Sequence, residues 1–184
     1  SWNELPDNYK EDIETIVFKE ASIPSDALIY QGVQPLQDFT IIIESTVVND
    51  VPAWAFRSLN HLKKVVIKES SSTLRLGNYA FLDCHQLSTV EIHRTLSPGS
   101  YGWFQIDNLP QGGEYVRTVD VTFTTTSGAN SVSDFENLTG NGNNRTQASG
   151  VIVTLQDTDP IISSLTNGHW YGTVNQVRWE TFLY

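Results

Sequence analysis

One cysteine, Cys84, stands in a chain of 184 residues. That excludes an intrachain disulfide and a cysteine-built zinc cluster. Basic charge is also scarce, with 11 Lys and Arg against 21 Asp and Glu and a net charge of -10. A surface so acidic offers no footprint for phosphate backbones or an anionic membrane, so nucleic acid is not an expected partner. No apolar run approaches the roughly 18 to 20 residues that a membrane-spanning helix needs, and the first 20 residues are polar and acidic, unlike a signal peptide. The familiar catalytic signatures are missing as well. "PGSYG" places Ser100 directly after Gly99 rather than in a Gly-x-Ser-x-Gly elbow, and there is no His-Glu-x-x-His, phosphate-binding loop or dinucleotide fingerprint. Neither an enzyme nor a bound cofactor is expected from such a chain.

What the chain has is a repeat. "VPAWAFRSLNHLKKVVI", starting at Val51, is followed 25 residues later by "LGNYAFLDCHQLSTVEI", so that Ala55-Phe56 falls on Ala80-Phe81, Leu59 on Cys84, Leu62 on Leu87, Val65 on Val90 and Ile67 on Ile92. The closing frame, apolar-x-x-apolar-x-apolar, recurs with starts at Ile13, Leu36, Leu62, Leu87, Val116, Ala148 and Val174. Their spacings of 23, 26, 25, 29, 32 and 26 residues sit close to the 20 to 29 residue period of leucine-rich repeats.

The last four positions of each frame alternate and favour Val, Ile, Thr and Phe, the pattern of a short strand with one buried face. Leu28, Phe56, Phe81, Phe104, Phe135 and Leu165 precede successive strands as apolar anchors. A unit of about 25 residues cannot bury its own strand face, so neighbours must stack with their strands in parallel. The expected fold is a leucine-rich-repeat-like solenoid of about seven short parallel strands with irregular or short helical connections. It forms one domain over residues 13–184, and residues 1–12 serve as an N-terminal cap or linker.

Alternation predicts inward side chains at Ile16, Phe18, Phe39, Ile41, Val65, Ile67, Val90, Ile92, Val119, Val121, Val151, Val153, Val177 and Trp179. It also predicts an outward face carrying Lys64, Lys68, Glu91, His93, Asp120 and Arg178. In that register Glu91 and Asp120 are neighbours, which makes either an acidic patch for a basic ligand or, with the nearby lysines and His93, an ordinary mixed-charge surface. Gly-flanked "SYGWF" and "GHWYG" place Tyr101, Trp103, Trp170 and Tyr171 where rings can stack on a sugar or a protein partner. Trp103 also fits the core, since it lies where the Ala-Phe anchor belongs. Asp157 and Asp159 sit in a turn without the full set of alternating oxygens a Ca²⁺ loop needs, so no metal site is expected. Asn137 and Asn144 begin glycosylation-type triplets inside an Asn- and Thr-rich loop.

The pair of central units resembles the BspA-type leucine-rich repeat, which reads roughly Ile-Gly-x-x-Ala-Phe, a polar stretch with Cys, then Leu-x-x-Val-x-Ile. Gly77, Ala80, Phe81, Cys84, Leu87, Val90 and Ile92 match that pattern; the preceding unit matches at Ala55, Phe56, Leu62, Val65 and Ile67 and departs at Val51-Pro52 and Leu59. The resemblance covers about 45 residues. It implies a secreted or surface-attached bacterial protein of adhesive or protein-binding type, and thus an extracytoplasmic, non-catalytic binding module with an unknown protein or a glycan as partner. A carbohydrate-binding surface protein that uses the loop aromatics is the alternative.

Overall fold

The computed structural model of the chain describes residues 4–19, 23, 34–44, 49–97, 103–104 and 119–124, and the backbone alone of 117–118, 151–155, 172–174 and 177–179. Among the described residues one five-residue helix, α1 (Asp7–Glu11), precedes ten strands: β1 (Thr15–Phe18), β2 (Phe39–Ile43), β3 (Asp50–Val51), β4 (Leu62–Ile67), β5 (Arg75–Leu76), β6 (Thr89–Ile92), β7 (Arg117–Phe123), β8 (Val151–Leu155), β9 (Gly172–Val174) and β10 (Val177–Trp179). The fold is a mainly parallel sheet with little helix. Its strand order is β1-β2-β4-β6-β7-β8-β9-β10, and β3 and β5 form a separate two-stranded ladder.

Units in the best-matched part of the chain stack in register. Ile16, Ile41, Val65, Val90 and Val121 form one row across five strands, and Phe18, Ile43, Ile67, Ile92 and Phe123 form the next. Both rows point into the core, where every member from β2 to β7 is at most 2% exposed and only Ile16 and Phe18 are partly open. Burying each such side chain contributes about 1.5–3 kcal/mol, which is why a strand of four to six residues suffices. The inward residues expected on β1, β2, β4, β6 and β7 are found there. The side chains of Val151, Val153, Val177 and Trp179, and the anchors Leu28, Phe135 and Leu165, lie outside the described residues.

Behind the sheet the anchors form a second stack. Phe56 is 5.5 Å from Phe81 at 16° and Phe81 is 6.2 Å from Phe104 at 23°, while Phe18 of β1 closes the stack with a tilted ring 5.3 Å from Phe56. The turns that carry these rings are hydrogen-bonded from unit to unit: Trp54 N–H donates to Asn78 O, Phe56 N–H to Ala80 O and Ser58 N–H to Leu82 O, at 2.7–3.1 Å. Trp54 and Ser58 have φ of 57° and 56°, and their equivalents Tyr79 and Asp83 have 55° and 56°. Left-handed backbone at a non-glycine residue costs roughly 1–2 kcal/mol. Repeating it at the same places turns successive peptide groups toward the neighbouring unit, and the inter-unit bonds offset the strain. Gly77 marks the tightest approach. Its N–H donates to Val51 O at 2.7 Å, and a Cβ there would lie 2.4 Å from Ala53 N.

Two expectations are corrected. Among the described residues seven strands of the eight-stranded sheet do run parallel, but the seventh is β9, not the Val177–Trp179 segment, which pairs antiparallel with β9. Only two residues separate Val174 from Val177, enough for a hairpin turn and far too few for a parallel crossover. The second correction is a register. The sequence frame sets Val119 beside Val90, whereas the fold pairs Val90 with Val121 and Ile92 with Phe123. A slip of two residues leaves every side chain on its own face, so alternation cannot detect it. It brings the large Phe123 into the core row.

Candidate functional site

The outward side of the sheet carries three rows, each continuing from strand to strand. Thr15, Thr40, Lys64, Thr89 and Asp120 make the first, and Val17, Ile42, Val66, Glu91 and Thr122 the second. Lys19, Glu44, Lys68, His93 and Thr124 follow as a third, placed by backbone bonds from Glu44 N–H to Phe18 O, Lys68 N–H to Ile43 O, His93 N–H to Ile67 O and Thr124 N–H to Ile92 O. The face is therefore apolar along β1, β2 and β4 in its middle row and polar beyond. Val17 is exposed, Ile42 half-buried and Val66 only 8% exposed.

Three expected residues, Lys64, Glu91 and His93, converge on this face, and Thr124 joins them. Glu91 Oε1 lies 2.5 Å from Lys64 Nζ, and Glu91 Oε2 lies 3.4 Å from His93 Nε2. His93 Nδ1 is 3.1 Å from Thr124 Oγ1. The Lys64 hydrogen bond, more than that of His93, holds the Glu91 carboxyl below its ordinary range, against the opposing effect of burial. Lys68 and Asp120 are exposed on the same face. Because of the register slip, Asp120 stands opposite Thr89 and Glu91 opposite Thr122. The expected Glu91–Asp120 neighbour pair is thus overturned, and the Glu91 charge is already met by Lys64. Arg178 lies on β10, and its side chain is outside the described residues.

Thr124, His93 and Glu91 have the connectivity of a hydroxyl, an imidazole and a carboxylate. In a relay of that kind the carboxylate stabilises an imidazolium, a role weakened here because the Lys64 ammonium shares the same carboxylate. The hollow next to them, lined by Glu69, Ser70, Ser71, His93 and Thr124, is open to solvent. Among the described residues, no group of three or more His, Cys, Asp or Glu side chains is arranged to hold a metal ion. No helix there is long and apolar enough to cross a membrane.

The loop aromatics fare differently. Trp103 is completely buried, edge-on to Phe104 at 6.2 Å, and its indole N–H donates to Leu76 O at 3.2 Å. Phe81 N–H donates to Trp103 O just as Phe56 N–H donates to Ala80 O, so Trp103 fills the slot that alanine occupies in the two preceding units. It is a core residue, so of the two readings of Trp103 the core one holds and a ligand contact there is corrected. Tyr101, Trp170 and Tyr171 lie outside the described residues.

Two features escaped sequence reasoning. Trp54, 43% exposed, stacks on Tyr79 with centroids 6.3 Å apart and planes 14° from parallel. The signal was visible as an aromatic preceding Ala-Phe in both units, but nothing in the pattern said that it points outward. Arg94 is fully buried; its guanidinium donates to Ser72 O, to Ser72 Oγ at 2.6 Å and to Asn49 Oδ1 at 2.7 Å. These partners stand one and two units back, so Arg94 ties together the bends that follow β6, β4 and β2. No protein-family model, curated protein or solved structure matches the chain.

Proposed function

We propose that the chain is a leucine-rich-repeat solenoid of the BspA-like kind, acting outside the cytoplasm as a non-catalytic module that binds another protein through the outward face of its sheet. One observation carries this reading. A parallel sheet is ordinarily covered on both faces, yet here one face is sealed in the core while, among the described residues, the other presents ordered rows, with exposed Val17 and half-buried Ile42 running to a buried Val66 beside the Lys64–Glu91–His93 cluster. Such a surface is broad and shallow, which suits a macromolecular partner better than a small substrate. Its middle row supplies apolar contact, and the charged rim supplies orientation.

The test compares capture by the immobilised wild-type chain with capture by a Thr40→Lys, Lys68→Glu variant, both changes being on the outward face. A protein retained by the first and lost by the second, at unchanged melting temperature, supports the reading. Equal capture by both refutes the sheet face as the binding surface.

Carbohydrate binding is the second reading, and the Trp54–Tyr79 stack favours it, since an exposed ring face can pack against a sugar. Glycan-array binding that disappears in Trp54→Ala, with the sheet-face variant unaffected, would select it.

A further inference from the structure

The rows of the sheet end abruptly at β1. Among the described residues this strand is last in the order and pairs only with β2. Thr40 N–H bonds Glu14 O and Glu44 N–H bonds Phe18 O, so the backbone groups of the even-numbered residues face β2. Those of Thr15, Val17 and Lys19 therefore face away, and no described residue pairs with them. Burial is incomplete on both sides of the same strand. Ile16 and Phe18 are partly open while Ile41, Ile43, Val65 and Ile67 in their rows are at 0%, and Val17 is 40% exposed where Val66 is 8%. Unpaired alternating donors and acceptors are satisfied by an extended strand, and a bare edge of this kind invites one.

We propose that β1 is a self-association edge, on which β1 of a second copy of the chain pairs antiparallel about a twofold axis through Val17. The register follows from the side chains. Setting Val17 against Val17 of the other copy places Ile16 opposite Phe18 on the core side and Thr15 opposite Lys19 outside. It also joins the residues whose backbone groups face outward, as narrow pairs that exchange roughly six hydrogen bonds. A shift by two residues in one direction sets Glu14 against Phe18; a shift in the other sets Val17 against Lys19. Only the central register matches apolar with apolar on both faces and opposes no like charges. A twofold arrangement also closes both free edges at once, which a head-to-tail one does not.

The pair is small, below the roughly 1,200 Å² of a stable interface, so association is weak and rises with protein concentration. Each copy carries a charge of -10, and added salt strengthens it by screening the repulsion. Sedimentation over about 5 to 500 μM should show the mass rising from 20.6 kDa toward twice that value. Val17→Pro removes an outward N–H that no described residue accepts, which an edge strand tolerates, and it should keep the chain monomeric at wild-type melting temperature. In the proposed pair the two Val17 Cα atoms stand about 5.5 Å apart, within disulfide reach. Oxidised Val17→Cys should then form a covalent dimer at least tenfold faster than Leu36→Cys, an exposed control away from the axis. A monomer at all concentrations and salts, or equal crosslinking of the two cysteine variants, overturns the proposal. So does protection of the Val17 amide from hydrogen exchange in the monomer, which would mean the edge is covered from within the chain.

Discussion

Replacing Phe81 by alanine tests the stacked-unit architecture at its most connected point. The ring is completely buried, between Phe56 at 5.5 Å and Phe104 at 6.2 Å, both nearly parallel to it. Losing a core phenylalanine costs about 3–5 kcal/mol through lost transfer energy and the cavity left behind. Each aromatic contact adds roughly 0.5–1.5 kcal/mol beyond burial, so the upper half of that range is expected. In urea, with a slope of about 2 kcal/mol per molar, a loss of about 4 kcal/mol moves the midpoint down by about 2 M. Far-ultraviolet dichroism and tryptophan fluorescence should report the same midpoint, because the core is continuous from β2 to β7. The coupling between Phe56→Ala and Phe81→Ala in a double-mutant cycle should reach about 0.5–1.5 kcal/mol. A loss below about 1 kcal/mol, or zero coupling, would show that the units are not stacked through their anchors.

Gly77→Ala should destabilise by about 1–3 kcal/mol, as overpacking does, because the new Cβ meets the backbone of Val51, Pro52 and Ala53 at 2.4–2.7 Å; thermal melts of the two proteins check it. Arg94→Leu should lower stability by about 1.5–3 kcal/mol in urea titrations, since it strips a charged donor from Ser72 and Asn49. Glu91→Gln concerns an exposed pair worth at most about 1 kcal/mol, and its pH dependence is the informative part. The folded-state pKa of Glu91 is depressed, chiefly by Lys64, so its contribution is complete above the unfolded value near 4.3 and is lost as pH falls through the lower folded value. The wild-type advantage in melting temperature should hold at pH 7 and vanish in acid once the pH lies below the depressed folded value; an advantage that grew on acidification would contradict the Lys64 contact.

Much of this architecture was legible because the two central units differ little. Alternation placed Val65, Ile67, Val90 and Ile92 inward, and the shared Ala-Phe pair located the anchor stack, since burial and strand period are local properties of sequence. The failures lie where a local pattern has two physical solutions. A parallel register can slip by two residues without moving any side chain across the sheet, and that slip separates Glu91 from Asp120 and hands its charge to Lys64. A six-residue frame ending in "VRW" fits a solenoid strand as well as it fits half of a hairpin, and only the two-residue spacing from β9 decides between them. Trp103 was ambiguous because its slot takes alanine in the neighbouring units.

The same reasoning explains why the site is less legible than the fold. Core rows repeat a chemical type, so each strand predicts the next, whereas the outward rows do not: Thr15, Thr40, Lys64, Thr89 and Asp120 occupy one row with three kinds of charge state. Whatever those residues recognise is written once, across units, and emerges only after the register is known. The Lys64–Glu91–His93–Thr124 line joins side chains on β4 and β6 and just past the ends of β6 and β7, separated by 27, 2 and 31 positions. No window of sequence holds it. Parallel stacking converts a spacing of about one unit into contact, and it is the fidelity of that spacing, set by Gly77 and the aromatic anchors rather than by the charged residues themselves, that assembles the face.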